Sequence, residues 1–306
     1  MRALITGGAG FIGSNIIKLL LQDSYDIMVL DNFSTGYEEN LKPFPQIKVI
    51  RGDIRDKQVV LEAMKGIEVV FHLAANIGNV KSLEDPLFDS DVNVLGTLNV
   101  IEAARKSGVK KIVYSSSAAI YGEPKRLPID ESHSVAPDSF YGVSKLAAEK
   151  HCMCLSKIYD IDVVALRYFN VYGPNQRYDA YGNVIPIFIT RLFKKEPLII
   201  YGDGEQTRDF INVADIARAN LLAAKKQGLR GAFNIGSGVS LTVNALASIM
   251  QDVAGISGEV VYRPERKGEV KHSLADISLA KKVLRYEPYV SVREGLKEYM
   301  EWIRCL

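Results

Sequence analysis

The sequence predicts an α/β chain built on a doubly wound parallel sheet, followed by a smaller α/β portion. An apolar run, Ala3 to Thr6, passes through a glycine turn straight into a helical pattern. Apolar runs and helical patterns then alternate to about residue 170, the rhythm of parallel strands joined by crossover helices. With 306 residues, 47% hydrophobic and 24% charged, the chain has ordinary globular values and can bury a sizeable core.

Composition removes several function classes. Lys plus Arg, 38, minus Asp plus Glu, 36, leaves a formal charge of +2, so no global field draws the chain to nucleic acid or membrane. An anionic ligand has to be met by local cations. The three cysteines, Cys152, Cys154 and Cys305, form no Cys-x-x-Cys and have no histidine cluster beside them, which suits a reduced chain without a structural metal. Met1-Arg2 leads directly into the first apolar run rather than into a secretory signal, and no uncharged stretch approaches the 18 or so residues of a membrane helix. A soluble, cytoplasmic protein is expected.

The glycine turn is Gly7-Gly8-Ala9-Gly10-Phe11-Ile12-Gly13, and the helical pattern after it takes Ile16, Ile17, Leu19, Leu20 and Leu21. Gly8-x-Gly10-x-x-Gly13 satisfies the general dinucleotide fingerprint, with Gly7-x-x-Gly10-x-x-Gly13 nested in it. Glycines let the backbone turn tightly beside a pyrophosphate, while the helix N-terminus offers N–H groups to the anion. A second strand, Ile27 to Leu30, ends in Asp31, about 20 residues after the turn, where a carboxylate can hold both ribose hydroxyls and repel a 2′-phosphate. No Lys or Arg follows before Lys42, so NAD is expected rather than NADP. A third strand, Ile47 to Ile50, leads to Gly52-Asp53-Ile54, placed to flank an adenine; Asp53 can equally be the N-cap of a helix over 57–65. Glu68 to His72 forms a fourth strand, beyond which a cofactor can pass over Leu73-Ala74-Ala75. His72 is expected to be a packed, hydrogen-bonded core residue. Asp85-Pro86 opens a long helical pattern closed by Gly108, with Asn93 midway, either at an active site or bonded to backbone.

Lys111 to Tyr114 makes a fifth strand, and Ser115-Ser116-Ser117 sit at its C-terminal end, the edge where open α/β sheets place ligands. Tyr141 and Lys145, within Tyr141-Gly142-Val143-Ser144-Lys145, share one face of the next helix because 3.6 residues make a turn. An ammonium beside a phenol favours the phenolate and pulls its ordinary pKa of roughly 10 toward working pH. After a sixth strand, Ile161 to Leu166, loops rich in Tyr, Asn, Gly and Pro interrupt shorter elements. A dinucleotide-binding part over 1–170, to which later segments can return, and a mainly substrate-binding part over 171–306 are therefore expected.

In this order the motifs resemble the extended short-chain dehydrogenase/reductase family, and within it the nucleotide-sugar 4-epimerases of the UDP-glucose (UDP-galactose) 4-epimerase kind. The likeness spans the chain: Thr6 to Gly13, Asp31-Asn32, Gly52-Asp53-Ile54, Ser115-Ser116-Ser117 followed by Tyr121-Gly122, Tyr141-x-x-x-Lys145, Arg167 to Pro174, and Thr207-Arg208-Asp209-Phe210. It implies a Rossmann-like domain with tightly held NAD and a C-terminal domain gripping a nucleotide diphosphate. By this resemblance the NAD site comprises Gly7, Gly10, Phe11, Ile12, Gly13, Asp31, Asn32, Asp53, Ile54, Leu73, Ala74, Ala75, Asn93, Ser115, Tyr141, Lys145 and Tyr168. The catalytic group is Ser117, Tyr141 and Lys145: the phenolate takes the sugar 4-hydroxyl proton as hydride leaves C4, Lys145 lowers the phenol pKa, and Ser117 bonds the reacting oxygen. The 4-keto sugar turns over and takes the hydride back on its other face. The substrate side takes Ser117, Tyr141, Asn170, Asn183, Val184, Arg208, Arg266, Glu269 and Ser273, with the two guanidinium groups on the diphosphate.

Relatives that dehydrate or decarboxylate such sugars carry carboxyl groups just after the serine, where this chain has Ala118 and Ala119. That favours plain epimerisation, by an isomerase, over a dTDP-sugar dehydratase. The same motifs would also suit a UDP-glucuronate 4-epimerase or a catalytically silent nucleotide-sugar sensor. Ser273 stands where epimerases restricted to unsubstituted hexoses carry tyrosine, so a 2-acetamido sugar is expected to fit. The resemblance also implies a homodimer, paired through helices near 86–107 and 140–159, where Val143, Leu146 and Met153 are either interface or core.

Overall fold

The architecture follows from apolar strands that need cover on both faces. A computed structural model describes residues 1–178, 183–266 and 270–306. The first half runs β1 (Arg2–Thr6), α1 (Phe11–Gln22), β2 (Asp26–Asp31), β3 (Lys48–Arg51), α2 (Lys57–Ala63), β4 (Val69–His72), α3 (Asn79–Glu84), α4 (Pro86–Ser90), a π-helical turn (Asp91–Gly96), α5 (Thr97–Lys106), β5 (Lys111–Ser117), a 3-10 turn (Ala118–Tyr121), α6 (Phe140–Tyr159) and β6 (Asp162–Tyr168). The second half continues with β7 (Asn170–Tyr172), α7 (Val184–Phe193), β8 (Leu198–Tyr201), β9 (Thr207–Arg208), β10 (Phe210–Asn212), α8 (Val213–Lys225), β11 (Gly231–Ile235), β12 (Leu241–Thr242), α9 (Val243–Ala254), β13 (Val260–Arg263), α10 (Ser278–Leu284) and α11 (Val292–Arg304).

Among the described residues the main sheet has seven strands in the order β11-β6-β5-β4-β1-β2-β3, paired in parallel throughout. The chain works outward from β1 to β3, then returns to β4 and builds the other way, so the order reverses between β1 and β4. Ligands of open α/β sheets sit outside the strand C-termini at that reversal. The glycine turn leaves β1 there, and Leu73-Ala74-Ala75 leave β4 beside it.

Successive side chains of a strand point to opposite faces. Ala3 and Ile5 of β1 therefore join a core with α1, α8 and α10, while Leu4 joins a second with α2, α5 and α6. A third cluster, around Phe188, Leu246 and Tyr299, lies under α7, α9 and α11. The seventh strand comes from 231–235, and α8 packs on α1, so the chain returns to the main sheet well after residue 170.

Three local features differ from the sequence expectation. Asp56, rather than Asp53, caps α2, accepting from the Gln58 and Val59 amides. All three serines, Ser115 to Ser117, lie inside β5 because their ladder with β6 runs on to Ser117 opposite Tyr168. The long helix after Pro86 is interrupted at Asn93 by the π turn, an insertion common at functional sites.

Gly13 lies against the opposite side of its own turn. A Cβ there would stand 2.3 Å from the Gly7 carbonyl oxygen. Gly13→Ala should lower the unfolding free energy by about 1–3 kcal/mol, as overpacking does, and reduce copurified NAD. Denaturant melts and cofactor release on acid precipitation measure both effects.

Candidate active site

The stretch Tyr141 to Lys145 opens α6, whose N-cap Ser139 accepts from the Gly142 amide at 3.1 Å. Gly142 is required by contact: a Cβ would meet the Ala119 carbonyl oxygen at 2.6 Å. That approach sets the start of α6 against the 3-10 turn capped by Ser117, whose Oγ accepts from the Ala119 amide at 3.1 Å. The Ser117 side chain lies close enough to the Tyr141 phenol to favour its ionised form, so the expected serine and tyrosine do meet. Lys145 is buried one turn further along the helix, its Nζ 4.7 Å from the centre of the Tyr114 ring.

Burial dominates the electrostatics of the unliganded protein. Burial pushes the Tyr141 phenol up to about 12, against the pull of the Ser117 hydrogen bond, with the Asp89 carboxylate adding to the rise. Lys145 does not offset this, because burial brings its own ammonium down to about 8, with Asp89 and Glu149 acting in the opposite sense. His72 is neutral: burial drives it to about 3, and its ring nitrogens bond the hydroxyls of Thr6 at 2.7 Å and Thr97 at 2.9 Å. It is the core histidine expected.

Behind the site lies an ion pair that the sequence did not disclose. Glu149 stands one turn beyond Lys145 and is 1% exposed. It receives both Arg167 Nε (3.1 Å) and Nη2 (2.6 Å), as well as the Ser116 hydroxyl (2.6 Å). Arg167 Nη1 donates to the Tyr121 hydroxyl at 2.8 Å, and that hydroxyl donates to Asn234 Oδ1 at 2.7 Å. Its only sequence signal was the four-residue step Tyr141, Lys145, Glu149 along one helix face.

The cofactor side gathers at the β1/β4 reversal. No side chain caps α1, which leaves its first amides to an anion, and the Asp31 carboxylate accepts from the Ala9 amide and the Phe33 amide, each at 2.8 Å. Asn32 Nδ2 bonds Asp53 Oδ2 at 2.8 Å, and Asp53 pairs with Arg55, which holds it down at about 2. The Ala74 amide donates to Thr6 Oγ1 at 3.2 Å. Residues Phe11, Ile12, Leu73, Ala74 and Ala75 are half-buried around this crevice. A glycine turn, an uncapped helix start and a ribose carboxylate fit a dinucleotide. Other expected contacts are engaged elsewhere: Ile54 packs on Gly96, Asn93 bonds Asn76, Asp89 and Ser144, and the hydroxyls of Ser115 and Tyr168 bond each other at 3.1 Å. The sequence also missed Arg51, the register partner of Asp31, whose guanidinium lies 4.6 Å from the Phe33 ring centre. It pairs with Glu38 at 3.0 Å.

On the substrate side, Tyr201, Gln206, Arg208 and Arg266 line one cleft, and the Arg266 guanidinium stacks 3.8 Å from the centre of the Tyr201 ring. Tyr201 had not been foreseen. Arg208 Nη1 donates to the Thr207 and Lys271 carbonyls. Asn170 and Asn183 hold backbone carbonyls of Asp209 and Val171, and Val184 begins α7. Ser273 is buried, its amide on the Thr207 carbonyl at 3.1 Å. Glu269 lies outside the described residues.

A doubly wound sheet with a serine and a Tyr-x-x-x-Lys helix at its ligand edge defines a dinucleotide-dependent enzyme of the extended short-chain dehydrogenase/reductase class. The profile of the NAD dependent epimerase/dehydratase family matches residues 3–236, and the chain belongs to that family. A Methanocaldococcus jannaschii protein, provisionally named UDP-glucose 4-epimerase, is 42% identical over 303 residues, 98% of each chain. The Thermotoga maritima UDP-glucose 4-epimerase, solved with UDP-glucose, superposes with a TM-score of 0.95 at 39% identity, covering 100% of this chain and 99% of its own. A Methanobrevibacter ruminantium UDP-N-acetylglucosamine 4-epimerase, solved with UDP-N-acetylmuramic acid, gives 0.95 and 39%, with 99% and 98% covered. The chain is an NAD-dependent isomerase of the UDP-sugar 4-epimerase group.

Keeping an ammonium in this wall costs stability. The folded value of about 8 lies below the ordinary 10.5, so between those pH values the unfolded chain binds more protons and stability rises with pH. Below pH 8 the full cost applies. The wild type's rise in stability between about pH 8 and 10.5, up to about 3 kcal/mol, should therefore disappear in cofactor-free Lys145→Met. Urea melts at pH 7 and 9.5 measure it.

Proposed function

We propose that the chain interconverts the C4 configuration of UDP-hexoses, both UDP-glucose/UDP-galactose and UDP-N-acetylglucosamine/UDP-N-acetylgalactosamine. The observation that carries this is the Ser117–Tyr141 pair with alanine at 118 and 119 on the adjoining turn. The pair can exchange one proton with a sugar oxygen. A methyl group cannot act as the further acid or base that dehydration requires.

NAD, when bound, supplies hydride exchange at C4. Gly7, Gly10, Gly13 and the start of α1 would hold its pyrophosphate, and Asp31 its adenosine ribose. Tyr141, as phenolate, takes the sugar 4-hydroxyl proton. Ser117 then donates to the sugar O4, and Lys145 keeps a cation beside the developing oxyanion. Arg208 and Arg266 suit the diphosphate, and Tyr201 offers an aromatic face for the base. Residues 171–306 thus grip the nucleotide sugar, while 1–170 together with β11 hold the cofactor.

The small Ser273 hydroxymethyl leaves room at the sugar's C2. A homodimer through α4, the π turn and α6 fits the exposed apolar side chains there, Leu87 (83% exposed), Leu95 (54%) and Val143 (52%), whereas Leu146 and Met153 are partly buried against the core clusters. No described helix is long and apolar enough to cross a membrane. We place the enzyme in the cytoplasm.

Two variants test the assignment in one assay. Tyr141→Phe should retain copurified NAD and lose about 100-fold or more in kcat for every sugar. Ser273→Tyr should leave UDP-glucose turnover within about 2-fold and lower kcat/KM for the acetamido sugar at least 10-fold, the cost of about 1–3 kcal/mol of overpacking. Full activity in the first variant removes Tyr141 as the base, and unchanged acetamido turnover in the second removes Ser273 as the C2 wall. A wild-type protein active on UDP-glucuronate alone, or on no sugar, overturns the substrate reading itself.

A further inference from the structure

Beneath the catalytic helix lies a buried carboxylate that takes no part in the proton and hydride exchange. Asp89, on α4, is 0% exposed. It accepts from Ser144 Oγ at 2.5 Å, Asn76 Nδ2 at 3.0 Å and Asn93 Nδ2 at 3.2 Å. Ser144 lies between Tyr141 and Lys145 in sequence and also receives Asn93 Nδ2 at 3.0 Å. Asn76 follows the Leu73-Ala74-Ala75 segment at the cofactor crevice, and its amide donates to Asn93 Oδ1 at 2.8 Å. One carboxylate thus ties α4, the π turn, the start of α6 and the loop after β4.

We propose that Asp89 is a positioning residue for the epimerisation: through Ser144, Asn93 and Asn76 it holds the Tyr141–Lys145 helix against the cofactor loop, and it supplies the buried negative charge that balances Lys145. A purely structural knot could be made from amides and hydroxyls, without the desolvation that an ionised carboxylate entails. Here the charge sits where a buried ammonium has to stay protonated. The other groups facing Lys145 are Glu149 and Cys152 on α6, Tyr114 on β5 and His72 on β4. Glu149 is already matched by Arg167, and His72 is neutral. Lys81 belongs to α3, which packs on α4 and α6.

A removed anion acts with one sign on both partners. The Tyr141 phenolate becomes easier to form, and the Lys145 ammonium harder to keep. Both ionisations should move to lower pH in Asp89→Asn, each on the order of one unit, the effect of a nearby buried charge at an effective dielectric of about 20. Packing alone would not move either.

The inference rests on Tyr141 being the base, so its first readout needs no substrate. NAD-loaded wild type, Asp89→Asn and Ser144→Ala are titrated for tyrosinate absorbance, each against its own Tyr141→Phe counterpart. The pH profile of kcat/KM with UDP-glucose is then recorded. Expected are a Tyr141 titration displaced to lower pH in Asp89→Asn, both limbs of the profile displaced the same way, and no displacement in Ser144→Ala, which keeps the charge. Asp89→Ser, with room for a water between Asn76 and Asn93, replaces Asp89→Asn should the extra amide prevent folding. An undisplaced titration in a folded neutral variant overturns the proposal even where activity falls, and so does an equal displacement in Ser144→Ala. A titration that behaves as expected in a protein inactive on UDP-glucose would count against the substrate reading and leave Asp89 standing.

Discussion

The buried pair between Glu149 and Arg167 seats the face of α6 that carries Tyr141 and Lys145. Two N–H groups of one guanidinium bond the two oxygens of one carboxylate, and the Ser116 hydroxyl adds a third donor. The pair fastens the helix that carries Tyr141 and Lys145 to β5 and β6, the strands that carry Ser117 and the start of the substrate-side loops. Desolvating two charges is expensive, and such a pair is poor evidence of extra stability. What it supplies is orientation. Neither partner can be removed without stranding the other charge in the core, so the helix has one seat. Tyr121 and Asn234 extend the same network to the Ile129 carbonyl, in the loop that bridges to Ala275 beyond Ser273.

Position and charge pull against each other at this seat. The burial that fixes Tyr141 also keeps its phenol protonated, and the burial that fixes Lys145 weakens its ammonium. In the unliganded protein, burial thus favours the neutral phenol at the centre of the site. The glycine turn shows the same economy of space: Gly13 and Gly142 are glycines because carbonyl oxygens of neighbouring turns occupy the place of a side chain.

Features that depend on periodicity and local chain direction were legible in the sequence. Tyr141 and Lys145 share a face by helix geometry, and Asp31 reaches the glycine turn because a strand must end there. The β-α alternation gave the parallel sheet and the edge where the serines lie. Features that depend on non-neighbouring strands were not. Arg51 is 20 residues from Asp31 in the chain but its register partner in the sheet, so a search along the sequence for a cation near Asp31 passed over it. The Arg167–Glu149 and Asp89–Ser144 contacts join elements separated by loops whose length carries no directional signal. The rise that burial imposes on the phenol was not legible, because spacing shows a neighbouring ammonium and does not show burial.

We propose that this site moves one proton and one hydride at C4 and nothing else. UDP-glucose carrying deuterium at C4, incubated in ordinary water with purified protein and no added NAD, tests it most directly by NMR of the sugar. The expected product is UDP-galactose with the deuterium still on C4, no exchange at C5, and no accumulated keto product. Loss of the label to solvent, incorporation of solvent hydrogen at C5, or a dehydrated sugar would contradict it.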